Sequence, residues 1–157
     1  MLDLTKYSKF RLSSLFDTSI LYPVVVLDWD AENDIPNEKS IFLSTTKTQF
    51  NVNNSVVTFK DRDLNITGMN ESIDVINRKF KVSDVTIKVN NFPENLSVRM
   101  TDRFFNNNLV NKLVKVFWAS DSISSLEECL PVFIGVAKSI NFDDKNLTIK
   151  VEDYSQK

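Results

Sequence analysis

Histidine is missing from all 157 residues. With it go the commonest general base, the Ser-His-Asp triad and the usual transition-metal ligand. The only cysteine is Cys129, which excludes an intrachain disulfide and a cysteine-built zinc site. A lone thiol of this kind reads as a small buried hydrophobe before it reads as a nucleophile. The two glycines, Gly68 and Gly135, lie far apart, so no glycine loop can cradle a phosphate. A dominant charge is lacking too: 19 basic and 21 acidic residues give a net charge of −2. That balance argues against a nucleic-acid binder held by phosphate contacts. The N-terminal MLDLTKYSKFRLSSLF is interrupted by Asp3, Lys6, Lys9 and Arg11, which excludes a signal-peptide core or a membrane span there. Sequons at Asn53, Asn65, Asn70, Asn95 and Asn146 are expected by chance in a chain this rich in Asn and Ser. The expected compartment is a reducing cytoplasm.

What is present is β-strand pattern. Hydrophobic residues make up 42% and charged residues 25% of the chain, an ordinary soluble composition at a length that fits one domain. Residues 1–19 read as an irregular or partly helical lead-in. Ile20 to Trp29, ILYPVVVLDW, is a β-branched run with Pro23 near its start, where a missing N–H is tolerable. Polar DAENDIPNEK then reads as a loop. Short strands are expected at 41–44 and 55–60, joined by a spacer, TTKTQFNVNN, whose turn uses Asn in place of Gly. Phe80 and Val82 alternate with polar residues, and Val85, Ile87 and Val89 alternate on the opposite parity. A strand has a side-chain period of two, so the switch predicts a bulge near Ser83 and Asp84 in a long strand from Lys79 to Asn90. Further along, a short strand is expected at 96–100 and a helical turn capped by Thr101 or Asp102. LVKVFWA, Leu113 to Ala119, is a compact strand. DSISSLEECL has capping-box spacing at Ser124 and Glu127. PVFIGVAKSINFDDKNLTIKVEDY closes as a hairpin with strands at 132–142 and 147–152. Asn90-Asn91 and the stretch Asp143 to Asn146 serve as turns, since Asn and Asp tolerate left-handed backbone. Many strands and no long amphipathic helix predict an all-β fold with minor α: an antiparallel split barrel or sandwich with one or two short helices.

Little in this pattern carries chemistry. The carboxylate pairs Asp61/Asp63, Glu127/Glu128 and Asp143/Asp144 fall in turns or loops, where solvated charge is the default. Asp28, Asp30, Glu32 and Asp34 lack the glycine, the closing glutamate and the flanking helices of a calcium-binding EF-hand. No catalytic residue, metal site or cofactor is therefore expected. Phe104-Phe105, beside Asn106 to Asn108, is either a plug of the barrel end or an interface anchor. Trp29 and Trp118 are read as core or sheet-face residues.

The order of these pieces resembles the tail-hub proteins of tailed bacteriophages and related gene transfer agents, specifically the N-terminal hub domain. The match runs through MNESIDVINRKFKVSDVTIKVNNF, NKLVKVFWASD and PVFIGVAKSINFDDKNLTIKVEDYSQ, and spans roughly Pro23 to Lys157 in order. The region Thr45 to Asn65 departs from the family by lacking its glycine-aromatic pattern. The resemblance implies a split β-barrel of the tail tube–hub type over residues 20–157, with two small intertwined tube-like subdomains as one arrangement within it. It also implies a structural virion protein at the distal end of the tail tube, made in the host bacterial cytoplasm. Three copies would form a ring of pseudo-sixfold symmetry, adapting a hexameric tube to a trimeric tip. Implied partners are further copies of the chain, a tube or distal-tail protein and tip, fibre or spike proteins, with DNA met only in passage and no membrane contact. Such hubs often continue into further domains, so the chain is either a short standalone hub or the N-terminal piece of a longer one.

Three other readings compete. One is a hexameric distal-tail or tube-terminating ring, another is a small cytoplasmic β-barrel binding module for carbohydrate or peptide, and an enzyme is the weakest. Two sets of residues are singled out. Phe104 and Phe105 are candidates for a subunit interface. Asp28, Asp30, Glu32, Asp34 and Glu38 form an acidic loop that, in a tail, would face the channel and keep DNA phosphates from sticking.

Overall fold

Val24 to Trp29 are all buried, because this run is covered on both faces. A computed structural model of the chain describes residues 21–68, 73–74, 79–80, 84–93, 99–106, 108–120 and 123–153. The run forms β1 (Leu21–Asp30), which lies mid-sheet between β2 (Ile35–Ser44) and β9 (Leu113–Ser120), antiparallel to both. The other strands are β3 (Thr48–Val52), β4 (Ser55–Asp61), β5 (Asn65–Thr67), β6 (Ile73–Asp74), β7 (Lys79–Phe80), β8 (Asp84–Asn90), β10 (Leu130–Phe142) and β11 (Asn146–Asp153). Nine of them make one sheet in the order β3-β4-β2-β1-β9-β10-β11-β8-β5, and β6 and β7 pair separately. One short helix, α1 (Met100–Asn106), and one 3-10 turn (Leu126–Glu128) complete the described elements. The chain is all-β with minor α, as its pattern predicts.

The sheet curls until its ends share one segment. Lys60 and Asp61 at the end of β4 pair in parallel with Leu43 and Ser44 of β2. Four residues after Asp61, Asn65 to Thr67 pair with Lys88 to Thr86 of β8. Between them the Asn90 N–H donates to the Arg62 carbonyl at 2.7 Å. The Arg62 guanidinium, buried at 8% exposure, donates to the carbonyls of Asn90 and Phe92 at 3.3 and 2.7 Å. The segment 60–67 thus joins the two sides of the sheet into a barrel.

Strand parity divides the apolar side chains between two cores. Val25 and Leu27 of β1, Val114 and Val116 of β9, and Ile87 and Ile149 point into the barrel, where Met100 and Phe104 of α1 also pack. Val24, Val26, Phe117 and Ala119 point outward. There the β3–β4 hairpin covers them with Phe50 and Phe59, joined by Leu126 and Cys129. Phe59 stacks against both Phe42 and Phe50, with centroids about 5 Å apart.

Both glycines sit where a side chain has no room. Gly68 adopts φ +95°, and a Cβ there would strike the Asp84 carbonyl. At Gly135 a Cβ would strike the Glu152 carbonyl of the neighbouring strand, with Val151 and Phe133 side chains also within 2.7 Å. Other left-handed positions fall to Asn and Asp: Asp28, Asp34, Asn53, Asn54, Asp63, Asn108 and Asn111, residues that tolerate this region best after glycine.

Several local expectations are corrected. Half of the expected loop DAENDIPNEK is strand: Pro36 lies in β2 opposite Trp29, near its start. The spacer before β4 contains a strand, β3, and only Asn53-Asn54 turns. Asn90-Asn91 makes no turn; Asn90 ends β8, and Asn91 is buried. Met100 is helical, not extended, while residues 96–98 of the expected strand lie outside the described set. The 3-10 turn is capped at Ser125, which makes no side-chain cap bond, so the Ser124/Glu127 box does not form. The inward parity of Val85, Ile87 and Val89 is as expected. The bulge at Ser83 and the lead-in 1–19 lie outside the described residues.

Candidate functional site

The candidate interface pair is split. Phe104 is 1% exposed and packs inside the barrel, so it is not available to a second subunit. Phe105 is 49% exposed, and its ring meets Phe142, itself 56% exposed, edge to face at 5.9 Å. The two rings form an aromatic knob where α1 passes the end of the β10–β11 hairpin. Phe142 escapes a sequence reading because it continues the β10 alternation; only its place as the last residue of β10, beside the turn, goes with its exposure.

The acidic stretch is not a uniform row of carboxylates either. Asp28 is buried at φ +81° and stands alone on β1 opposite residues 37–40 of β2. Its carboxylate accepts from Asn37 Nδ2 at 2.7 Å, and its carbonyl accepts from Ser40 Oγ at 2.5 Å. Asp30 organises the turn by accepting the N–H groups of Glu32 and Asn33 and the Asn33 amide. The Asn33 side-chain and backbone hydrogen bonds hold its carboxyl below the ordinary carboxylate range. Asp34 pairs with Lys115 Nζ at 2.9 Å. Glu32 and Glu38 are exposed.

Lys115 is the unexpected cation here. On β9 it shares parity with Phe117 and so faces the outer core, its side chain only 14% exposed. Its ammonium lies 4.4 Å from the centroid of Trp29 and 5.3 Å from that of Phe117, a cation–π arrangement that offsets lost hydration. Beneath it the Trp29 indole N–H has no hydrogen-bond partner among the described residues. A narrow crevice of about 50 Å³ runs between Trp29, Lys115, Phe117, Cys129 and Pro131, space for little more than water. The signal for this arrangement is present in LVKVFWA, where a lysine occupies a buried parity and calls for an acid.

Among the described residues, no group of three acidic, cysteine or histidine side chains is placed to hold a metal ion. Burial, helped by the nearby Glu128 carboxylate, pushes the Cys129 thiol up to about 12, far from nucleophilic. Asp61 accepts the Asp63 N–H, and Asp144 pairs with Arg99. Asp143 accepts the N–H groups of Lys145 and Asn146, both at 2.7 Å. No described helix is long and apolar enough to cross a membrane.

A second, more open cleft of about 400 Å³ lies over the outer face of β5, β8 and β11. It is lined by Asp63, Asn65, Lys88, Asn90, Phe92, Lys145 and Asn146. Compared with protein-family models and with curated proteins, the chain matches none.

Proposed function

We propose that the chain is a structural, ring-forming component of a bacteriophage tail tip, a tail hub at the distal end of the tube. The observation that carries this reading is the order of elements in the barrel. The pieces on which the tail-hub resemblance rests follow one another in the chain as β8, the LVKVFWA strand β9 and the closing hairpin β10–β11, and all four strands lie side by side in the one sheet. A barrel without a reactive constellation among its described residues suits a protein that works through its surface. The exposed Phe105–Phe142 knob supplies an aromatic anchor of the kind that dominates subunit contacts. In the ring so proposed, Asp30, Glu32 and Glu38 face the channel and repel DNA phosphates, while Asp28 and Asp34 serve the fold.

Light scattering on the purified chain, followed by electron microscopy with and without tube protein, tests the reading. A ring of three copies is expected. A hexameric ring would favour a tube-terminating role, and a strict monomer at high concentration that adds nothing to tube ends would favour a small binding module. Finding the three carboxylates on the outer rim of an assembled tail would sink the channel assignment.

A further inference from the structure

The cleft over β5, β8 and β11 combines features that the fold does not require. The inward positions of β8 and β11 are all aliphatic: Val85, Ile87, Val89, Leu147, Ile149 and Val151. Around the cleft the outward positions carry only polar groups, Asn65 opposite Lys88 and Asn90 opposite Asn146. At its end stands Phe92, 54% exposed, a large apolar ring left in water beside a wall of amides. The backbone that carries the ring is pinned on both sides. Its own carbonyl is held by Arg62 at 2.7 Å. The preceding Asn91, 1% exposed, bonds the Asp143 carbonyl, the Thr101 N–H and the Lys145 carbonyl at 2.8 to 3.0 Å. The wall is partly set as well, since Asn90 Nδ2 donates to Asp63 Oδ2 at 3.0 Å.

The charges decide the class of ligand. Lys88 and Lys145 face the carboxylates of Asp63, in the cleft, and Asp143, on the adjoining turn. After the backbone bonds from Asn146 and Lys145, these two lysines are among the groups that hold the Asp143 carboxyl low. Counting Arg62 behind Phe92, three cations against two anions leave a net charge of only +1, a weak field for holding a polyanion such as a nucleic acid. Amides, ammoniums and carboxylates together offer donors and acceptors in turn, which matches hydroxyl groups that both give and take hydrogen bonds. One exposed aromatic face matches the C–H face of a pyranose ring. The cleft is open, about 400 Å³, so a ligand on Phe92 would keep its far side in solvent.

We infer that this cleft is a binding site for a neutral saccharide, with one sugar ring stacked on Phe92 and its hydroxyls bonded by Asn65, Asn146, Lys88 and Lys145. The inference is independent of the tail reading, since a tail tip and a binding module could each carry it.

The test uses the full chain on an array of neutral oligosaccharides, with heparin and polyglutamate as polyanion controls. Hits are titrated by saturation-transfer NMR. Binding to at least one neutral glycan is expected, with sugar C–H protons receiving the strongest transfer. Phe92→Ala should weaken it about tenfold, the order one aromatic face supplies, while Phe92→Trp retains it. Both substitutions are at an exposed ring, and an unchanged melting temperature confirms the fold. Three results would overturn the inference: no neutral glycan bound, binding confined to the polyanions, or affinity unaffected by Phe92→Ala.

Discussion

Asn91 shows how one polar side chain can organise a barrel end. Its amide joins the β10–β11 turn to the start of α1 from a position 1% exposed. Replacing it by Leu leaves the Asp143 carbonyl and the Thr101 N–H to find other partners. We predict a loss of about 2–3 kcal/mol, the order of two unmet buried groups, read as a lower denaturation midpoint with unchanged slope. Gly135 is constrained by space alone: Gly135→Ala should cost about 1–3 kcal/mol by overpacking against β11, measured the same way. Cys129 should resist iodoacetamide in the native state and react on unfolding, because a buried thiol held near 12 offers no thiolate at neutral pH. Asp143 has a depressed folded-state carboxyl, so its stabilising effect is present above the ordinary 3.8 and lost as the pH falls through the lower folded value. Thermal melts of Asp143→Asn across that acid range should therefore show a shallower decline than the parent.

At the scale of elements, what was legible depended on whether burial imposed a period. The β1 run is readable because both its faces are covered, and the closing hairpin because one face alternates cleanly. β3 was hidden in TTKTQFNVNN, where only Phe50 and Val52 mark the covered face and flanking Asn and Thr imitate a loop. Pro36 argued against a strand that exists because the widened register at residues 37–40 starts just beyond it. The separation of Phe104 from Phe105 was equally out of reach, since it depends on the angle at which α1 meets the barrel. Asn53-Asn54, with φ of 51° and 66°, is a two-residue turn in which both positions are left-handed. Asn54→Gly should raise stability by a few tenths to about 1 kcal/mol, since Asn-Gly suits this turn better. A fall in stability would mean that the Asn54 side chain contributes something beyond the turn.

For the whole molecule, barrel closure through residues 60–67 could not be read from sequence, because it pairs β4 in parallel with β2, beyond the intervening β3, and β5 with β8, two elements further along the chain than the next strand. The Phe105–Phe142 knob is the natural place to break the proposed ring: Phe105→Ser with Phe142→Ser should leave the fold intact and abolish any trimer, seen by sedimentation. The account stands most directly on the mass of the native particle. Light scattering of the purified chain should give three times the 18.1 kDa of one copy, with ring-shaped particles in micrographs. A constant mass of 18.1 kDa at every concentration, with no assembly on tube protein, would contradict it.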